Sequence, residues 1–239
     1  MKTIKLGSFL LLLIFTGMTI RAGAAREKTK SEIRQVDAFH SIHVSSGIDL
    51  FLTQGKSQEI RVEAEPELVG KIITRVEDGV LKICIRDKMN WDLGWNLTRK
   101  VYVTFLDLRE LRASAGSDVY SQNPFKLQEL KISSSSGSDV QIEGLTARLV
   151  SVTTSSGADA QISGKTVKLY ADASSGSDLD CDGLVSEECE VQASSGSDAL
   201  VHATGMLKAR ASSGGDIRYT GKPSQRDVDE SSGGDVAEN

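Results

Sequence analysis

The chain has 239 residues, 39% of them hydrophobic but only 5% aromatic, so its core must be filled by Val, Ile, Leu, Ala and small polar side chains. A net charge of −5 offers no basic footprint and argues against a nucleic-acid partner. With 22 Gly against 3 Pro, the turns are built from Gly, Ser and Asp.

Residues 1–24 read as a signal peptide. Lys2 and Lys5 supply the positive start, and Leu6 to Ile14 is an apolar run too short to span a bilayer comfortably. Ala22-Gly23-Ala24 fits a small-x-small cleavage site, which places the cut near Ala24. A membrane anchor is the alternative reading of this segment. No second apolar stretch follows, so the mature chain is expected to lack a membrane span. Export would deliver it to the periplasm, the outer-membrane surface or the medium.

Residues 25–35 read as a linker, and 36–239 as one domain. Phe39 to Val44 alternates like a strand and meets a turn at Ser45-Ser46-Gly47-Ile48-Asp49. Glu65 to Gly70 reads as a short helical turn, and Asp78-Gly79 as a hairpin turn between strand-like runs. Met89 to Asn96 holds both tryptophans, Trp91 and Trp95. Trp faces stack on sugars or anchor protein partners, which makes them candidate ligand-binding residues. The competing reading, favoured here, is a hydrophobic plug over the core. Val101 to Leu106 is a further strand. The 36–110 region is expected to form larger, irregular coils.

From residue 111 the chain repeats itself about every 20 residues. Ser135-Ser136-Gly137-Ser138-Asp139 recurs around Gly176 and Gly196, and in altered form around Gly116, Gly157, Gly214 and Gly233. The positions three and five before and after each glycine are apolar or small, with Ser121 a polar exception. That is the period-two signature of strands with one buried face. One coil cannot bury such residues, whereas stacked coils bury a continuous column. The prediction is an all-β, single-stranded β-helix, with regular coils over 111–239. A sandwich of hairpins is the alternative, but it would not need the same five residues at every turn. Gly116, Gly137, Gly157, Gly176, Gly196 and Gly214 are assigned the backbone angles of the corner. A second glycine closes most coils: Gly144, Gly164, Gly183, Gly205 and Gly221.

In-register stacking would align Asp118, Asp139, Asp159, Asp178, Asp198 and Asp216 in a ladder. Neighbouring carboxylates at about 4.8 Å repel by roughly 1 kcal/mol in water. Turn hydrogen bonds from Ser hydroxyls and amides are the preferred offset, so no cofactor is called. A calcium ladder on the same six residues is the alternative. Paired carboxylates also serve glycosidases, but a catalytic site needs unlike residues brought together, and these all share one context. His40, His43 and His202 show no triad or metal spacing, and a non-enzyme is expected. Among Cys84, Cys181 and Cys189 only the last two are a plausible disulfide pair; three small buried hydrophobes are the preferred reading.

Phe39 to Leu50, Val76 to Ile83, the serial Ser-Gly-Ser-Asp turns, Gly221-Lys222-Pro223 and Ser232-Gly233-Gly234-Asp235 together resemble the head GIN domain family, called autotransporter adhesins. The resemblance implies a right-handed β-helix in the cell envelope and brings no catalytic residues. Nothing after Gly221 supplies the strands of an autotransporter barrel. The expected role is adhesion or binding of a glycan or cell-surface protein. A carbohydrate-active enzyme and a purely structural envelope component are the alternatives.

Overall fold

A computed structural model describes residues 29–86 and 97–239. Trp91, Trp95 and the expected signal peptide, residues 1–24, lie outside them. The described chain begins with β1 (Lys30–Arg34), which pairs antiparallel with β4, so five residues expected in the linker belong to the sheet. Next come β2 (Ser41–Val44), β3 (Asp49–Gln54), β4 (Glu59–Ala64), the single turn α1 (Pro66–Val69), β5 (Ile72–Glu77), β6 (Val80–Ile85) and β7 (Arg99–Phe105). Asp78-Gly79 makes the expected hairpin, with β5 and β6 antiparallel. The N-terminal coils do not stack in chain order. The β2–β3 coil lies between β6–β7 on one side and the coil of β8 (Glu110–Ser114) and β9 (Asp118–Ser121) on the other. The pentapeptide at Ser45, isolated in sequence, therefore sits directly against the one at Ser114.

Beyond β10 (Glu129–Ser135) the coils are regular. Long strands β11 (Asp139–Ser155), β12 (Asp159–Ser174), β13 (Asp178–Ser194) and β14 (Asp198–Ser212) run from corner to corner, followed by β15 (Asp216–Thr220), β16 (Gln225–Ser231) and β17 (Asp235–Glu238). All pair in parallel, with Asp139 opposite Asp159, Asp178 and onward. The result is a β-solenoid of about six turns. In β11 the inward residues are Val140 and Ile142, then Leu145 and Ala147, then Val150, Val152 and Thr154. Alternation fixes parity within a strand, so each switch of parity marks a bend. These bends fall at Glu143-Gly144 and Arg148-Leu149. Stacked backbones come closest there: a Cβ on Gly164 would lie 1.9 Å from the Leu145 carbonyl oxygen.

The corner carries the repeat. Its second and third residues both take left-handed angles, Ser136 and Gly137 with φ of 58° and 64°. Glycine does this freely, but a residue with a Cβ loses roughly 1–2 kcal/mol. The sequence assigns these angles to glycine alone; the structure extends them to the preceding serine. Stacking offsets the strain. Gly137 N–H donates to the Ser156 carbonyl of the next coil at 3.2 Å, and Gly157 and Gly176 repeat the bond at 3.3 and 3.2 Å. Asp159 N–H points the other way, donating to Ser138 of the preceding coil at 3.1 Å. Left-handed backbone thus turns one corner amide toward each neighbour.

The fourth corner residue points inward. Ser117, Ser138, Ser177 and Ser197 have no exposure. Ser138 Oγ accepts the Ser135 N–H at 3.0 Å and lies 2.9 Å from the Ser135 carbonyl; Ser197 and Ser194 repeat both distances. A buried hydroxyl is costly unless bonded, so this serine is the internal brace of the corner. In the last two corners it becomes Gly215 and Gly234, where a Cβ would lie 2.5 Å or less from Ala193 or Ala211 backbone.

Both ends are closed. At the N-terminal end, α1 buries Leu68 and Val69, and an Arg34 guanidinium N–H donates to the Val69 carbonyl at 2.9 Å. At the other end Arg226, Val228 and Glu230 stand where Leu207, Ala209 and Ala211 stand one coil earlier. Arg226 donates to the Tyr219 hydroxyl at 2.7 Å, and Glu230 accepts the Val236 N–H at 2.9 Å. All of β16 is exposed, and charges at the inward-register positions of a terminal coil oppose pairing with another strand edge. Cys181 and Cys189 are free and buried in the column, while Cys84 is half-buried. Burial pushes the Cys189 thiol up to about 12, so it stays protonated and inert.

Candidate functional site

The side chains two residues after each corner aspartate point outward. With Tyr102, which pairs with Phe51, they form one column across the stacked coils: Tyr102, Phe51, Tyr120, Gln141, Gln161, Asp180, Leu200 and Arg218. Its aromatic end is a stack, with ring centroids 4.9 Å apart for Phe51 and Tyr102 and 5.5 Å for Phe51 and Tyr120. The Arg61 guanidinium caps Tyr102 at 3.8 Å from its centroid, a cation–π contact. The opposite end of the stack faces Gln141, an amide rather than a ring.

Along this column run three adjoining depressions of about 500, 350 and 300 Å³. The first two share Tyr120 and Gln141, and the second and third share Asp178 and Asp180. They make one shallow trough along the axis of the solenoid. Hydrogen-bonding groups line it. Gln141 Nε2 donates to Glu143 at 3.0 Å and Gln161 Nε2 to Asp180 at 3.3 Å, which holds both amides flat against the sheet.

The aspartate ladder is one rim of this trough. Asp139, Asp159, Asp178, Asp198 and Asp216 are exposed, and the ladder extends at both ends to Asp49 and Asp235. Asp159 Oδ1 accepts the Asp178 N–H at 3.3 Å. Burial, and then neighbouring carboxylates, push Asp118, Asp139 and Asp178 above the usual carboxylate range. Burial also raises Asp49, against the pull of Lys100 and Arg99. The same two causes raise the Tyr120 phenol, which remains a hydrogen-bond donor. Among the described residues, no three His, Cys, Asp or Glu side chains gather as a metal site. The six glycines called from sequence all lie at corners with positive φ. His202 is half-buried, and its Nδ1 lies 3.0 Å from Thr220 Oγ1.

A family model described as "Putative auto-transporter adhesin, head GIN domain" matches residues 38–223. The chain belongs to this family. Among solved structures, this head GIN domain protein is similar to a putative adhesin from Bacteroides fragilis, at 18% identity, TM-score 0.82, with 89% of this chain and 98% of that one covered. It is also similar to a putative adhesin from Parabacteroides distasonis, at 20% identity, TM-score 0.70, with 89% and 97% covered. A third, described as a putative lipid binding protein from the same species, has 16% identity and TM-score 0.66, with 90% and 98% covered. At these identities the likeness shows a shared fold. No curated protein matches the chain.

The aromatic stack escapes a reading that treats the Ser45 corner as isolated. Aligning that corner with Ser114 puts Phe51 and Tyr120 at the same offset, two residues past Asp49 and Asp118, and so predicts neighbours. Among the described residues, no helix is long and apolar enough to cross a membrane.

Proposed function

We propose that this head GIN domain protein is an exported, non-enzymatic adhesin that binds a glycan or a protein at the cell envelope. The observation that carries this reading is the continuous trough, which runs over several coils and is floored by hydrogen-bonding side chains on a rigid sheet. A flat, pre-ordered surface binds with little loss of side-chain freedom. The leader-like residues 1–24 support export to the periplasm, the outer-membrane surface or the medium, and the adhesin family agrees with a surface role. The carboxylates of the rim repeat one environment from coil to coil, whereas hydrolysis sets two carboxyls apart by their surroundings. Fractionation of the native host should find the mature chain outside the cytoplasm, and a polysaccharide-hydrolysis screen should show no turnover. Turnover of any glycan would reverse the non-enzymatic reading.

A further inference from the structure

Resting on the reading of a binding module, we infer that the trough past Tyr120 is a subsite for a neutral, linear glycan laid along the solenoid axis. Tyr120 ends the aromatic stack: Phe51 covers one face of its ring, and the other turns toward Gln141 and the open depression. An aromatic face on which no further ring stacks, at the head of the trough, suits a pyranose, whose C–H face packs on a ring while its hydroxyls reach sideways. Those hydroxyls would meet Gln141, Gln161 and Asp180 in succession. These three recur at the coil spacing of about 4.8 Å, close to the advance of one sugar unit in an extended chain.

Charge selects among glycans. Asp139, Asp159 and Asp178 run along one rim and Glu143 stands on the other, while the cations Lys100 and Arg218 lie only at the two ends, so a ligand carrying carboxylates or sulfates would meet like charge along the middle of the trough. Hydroxyl and acetamido groups instead donate to the carboxylates, and both donate to and accept from the amides. An acyl chain would find only interrupted apolar footing, since Gln141, Gln161 and Asp180 occupy the outward column between Tyr120 and Leu200. A basic peptide would pair with the carboxylates and lay a cation on the ring, as Arg61 does on Tyr102, so it is the competitor that the glycan-removal arm of the test below excludes.

The test is an array of neutral and acidic linear oligosaccharides, followed by calorimetry with the best neutral binder, using the full chain. Tyr120→Ala and Gln161→Arg should each weaken binding about tenfold or more. Lys131→Ala, on a different outward column, should leave it unchanged. Gln161 is fully outward, so its variant guards against loss of fold at Tyr120, and thermal melts check both. Neutral-glycan binding lost in both trough variants supports the inference. Preference for acidic glycans, or binding that ignores both trough variants, overturns this site while leaving the adhesin reading intact. Adherence to cells that survives removal of glycans does the same. Failure to bind any glycan, protein or cell overturns both.

Discussion

The corner serine at the fourth position sets the stability of each coil. Three corners hold a Ser Oγ within 3.2 Å of the N–H three residues earlier. Removing it by Ser197→Ala leaves a buried donor short of a partner and should cost about 1–3 kcal/mol, read from urea unfolding. The coil at Ala158 is a natural version of that change. Ala158 is fully buried and offers no hydroxyl. Ala158→Ser should therefore stabilise the protein by about 0.5–1.5 kcal/mol, provided the corner there keeps the shape of its neighbours. A loss of stability would mean that this corner packs too tightly for the extra oxygen. The repeat made the fourth serine visible in sequence, but its role was legible only from its orientation. A side chain between a left-handed glycine and an outward aspartate has to point inward.

At the scale of the element, the aspartate ladder is the corner column seen from outside. Asp139 holds its proton to higher pH folded than unfolded, because of burial and then Asp159. Such a group contributes full stability below the ordinary aspartate range, and loses that contribution as pH rises through its folded value. At neutral pH the charged ladder thus weakens the fold. Asp139→Asn should raise the melting temperature at pH 7, and the gain should shrink as pH falls into the ordinary aspartate range. The comparison must be with wild type at each pH, because Glu77 and Glu110 are lowered in the fold and lose stability on acidification. A gain that stays constant with pH would remove the electrostatic account. Calcium offers a second measurement on the same ladder. Since Asp118, Asp139 and Asp159 already meet the backbone N–H of the next ladder aspartate, added calcium should leave the melting temperature unchanged; a rise would assign the ladder a metal. The ladder itself was readable from spacing. Its continuation to Asp49 was not, since 69 residues of chain separate Asp49 from Asp118. Only the pairing of β3 with β9 closes that gap.

For the whole molecule, the regular coils were legible because each contacts only its neighbours, so one local pattern implies the architecture. The N-terminal coils were not, because β2–β3 enters the stack out of chain order and the strands beyond it run antiparallel. Growth of a solenoid must also stop, since parallel stacking presents a new edge at every coil. Here the N-terminal end stops with antiparallel strands and α1, and the other with charges at inward-register positions. Arg226 and Glu230 replace apolar residues of the column, so a further strand edge would have to bury both. Deleting residues 222–239 would uncover β14 and β15, whose inward residues Leu207, Ala209, Ala211 and Ile217 are all buried in the intact chain. That truncated protein should self-associate in sedimentation velocity, increasingly with concentration and beyond what the intact chain shows in the same buffer. Arg226→Leu with Glu230→Val should move the intact chain in the same direction, since it makes the terminal coil resemble an internal one. If the truncated chain sediments like the intact one, the terminal coil is not what blunts the edge, and the corner turn at Gly215 becomes the place to look.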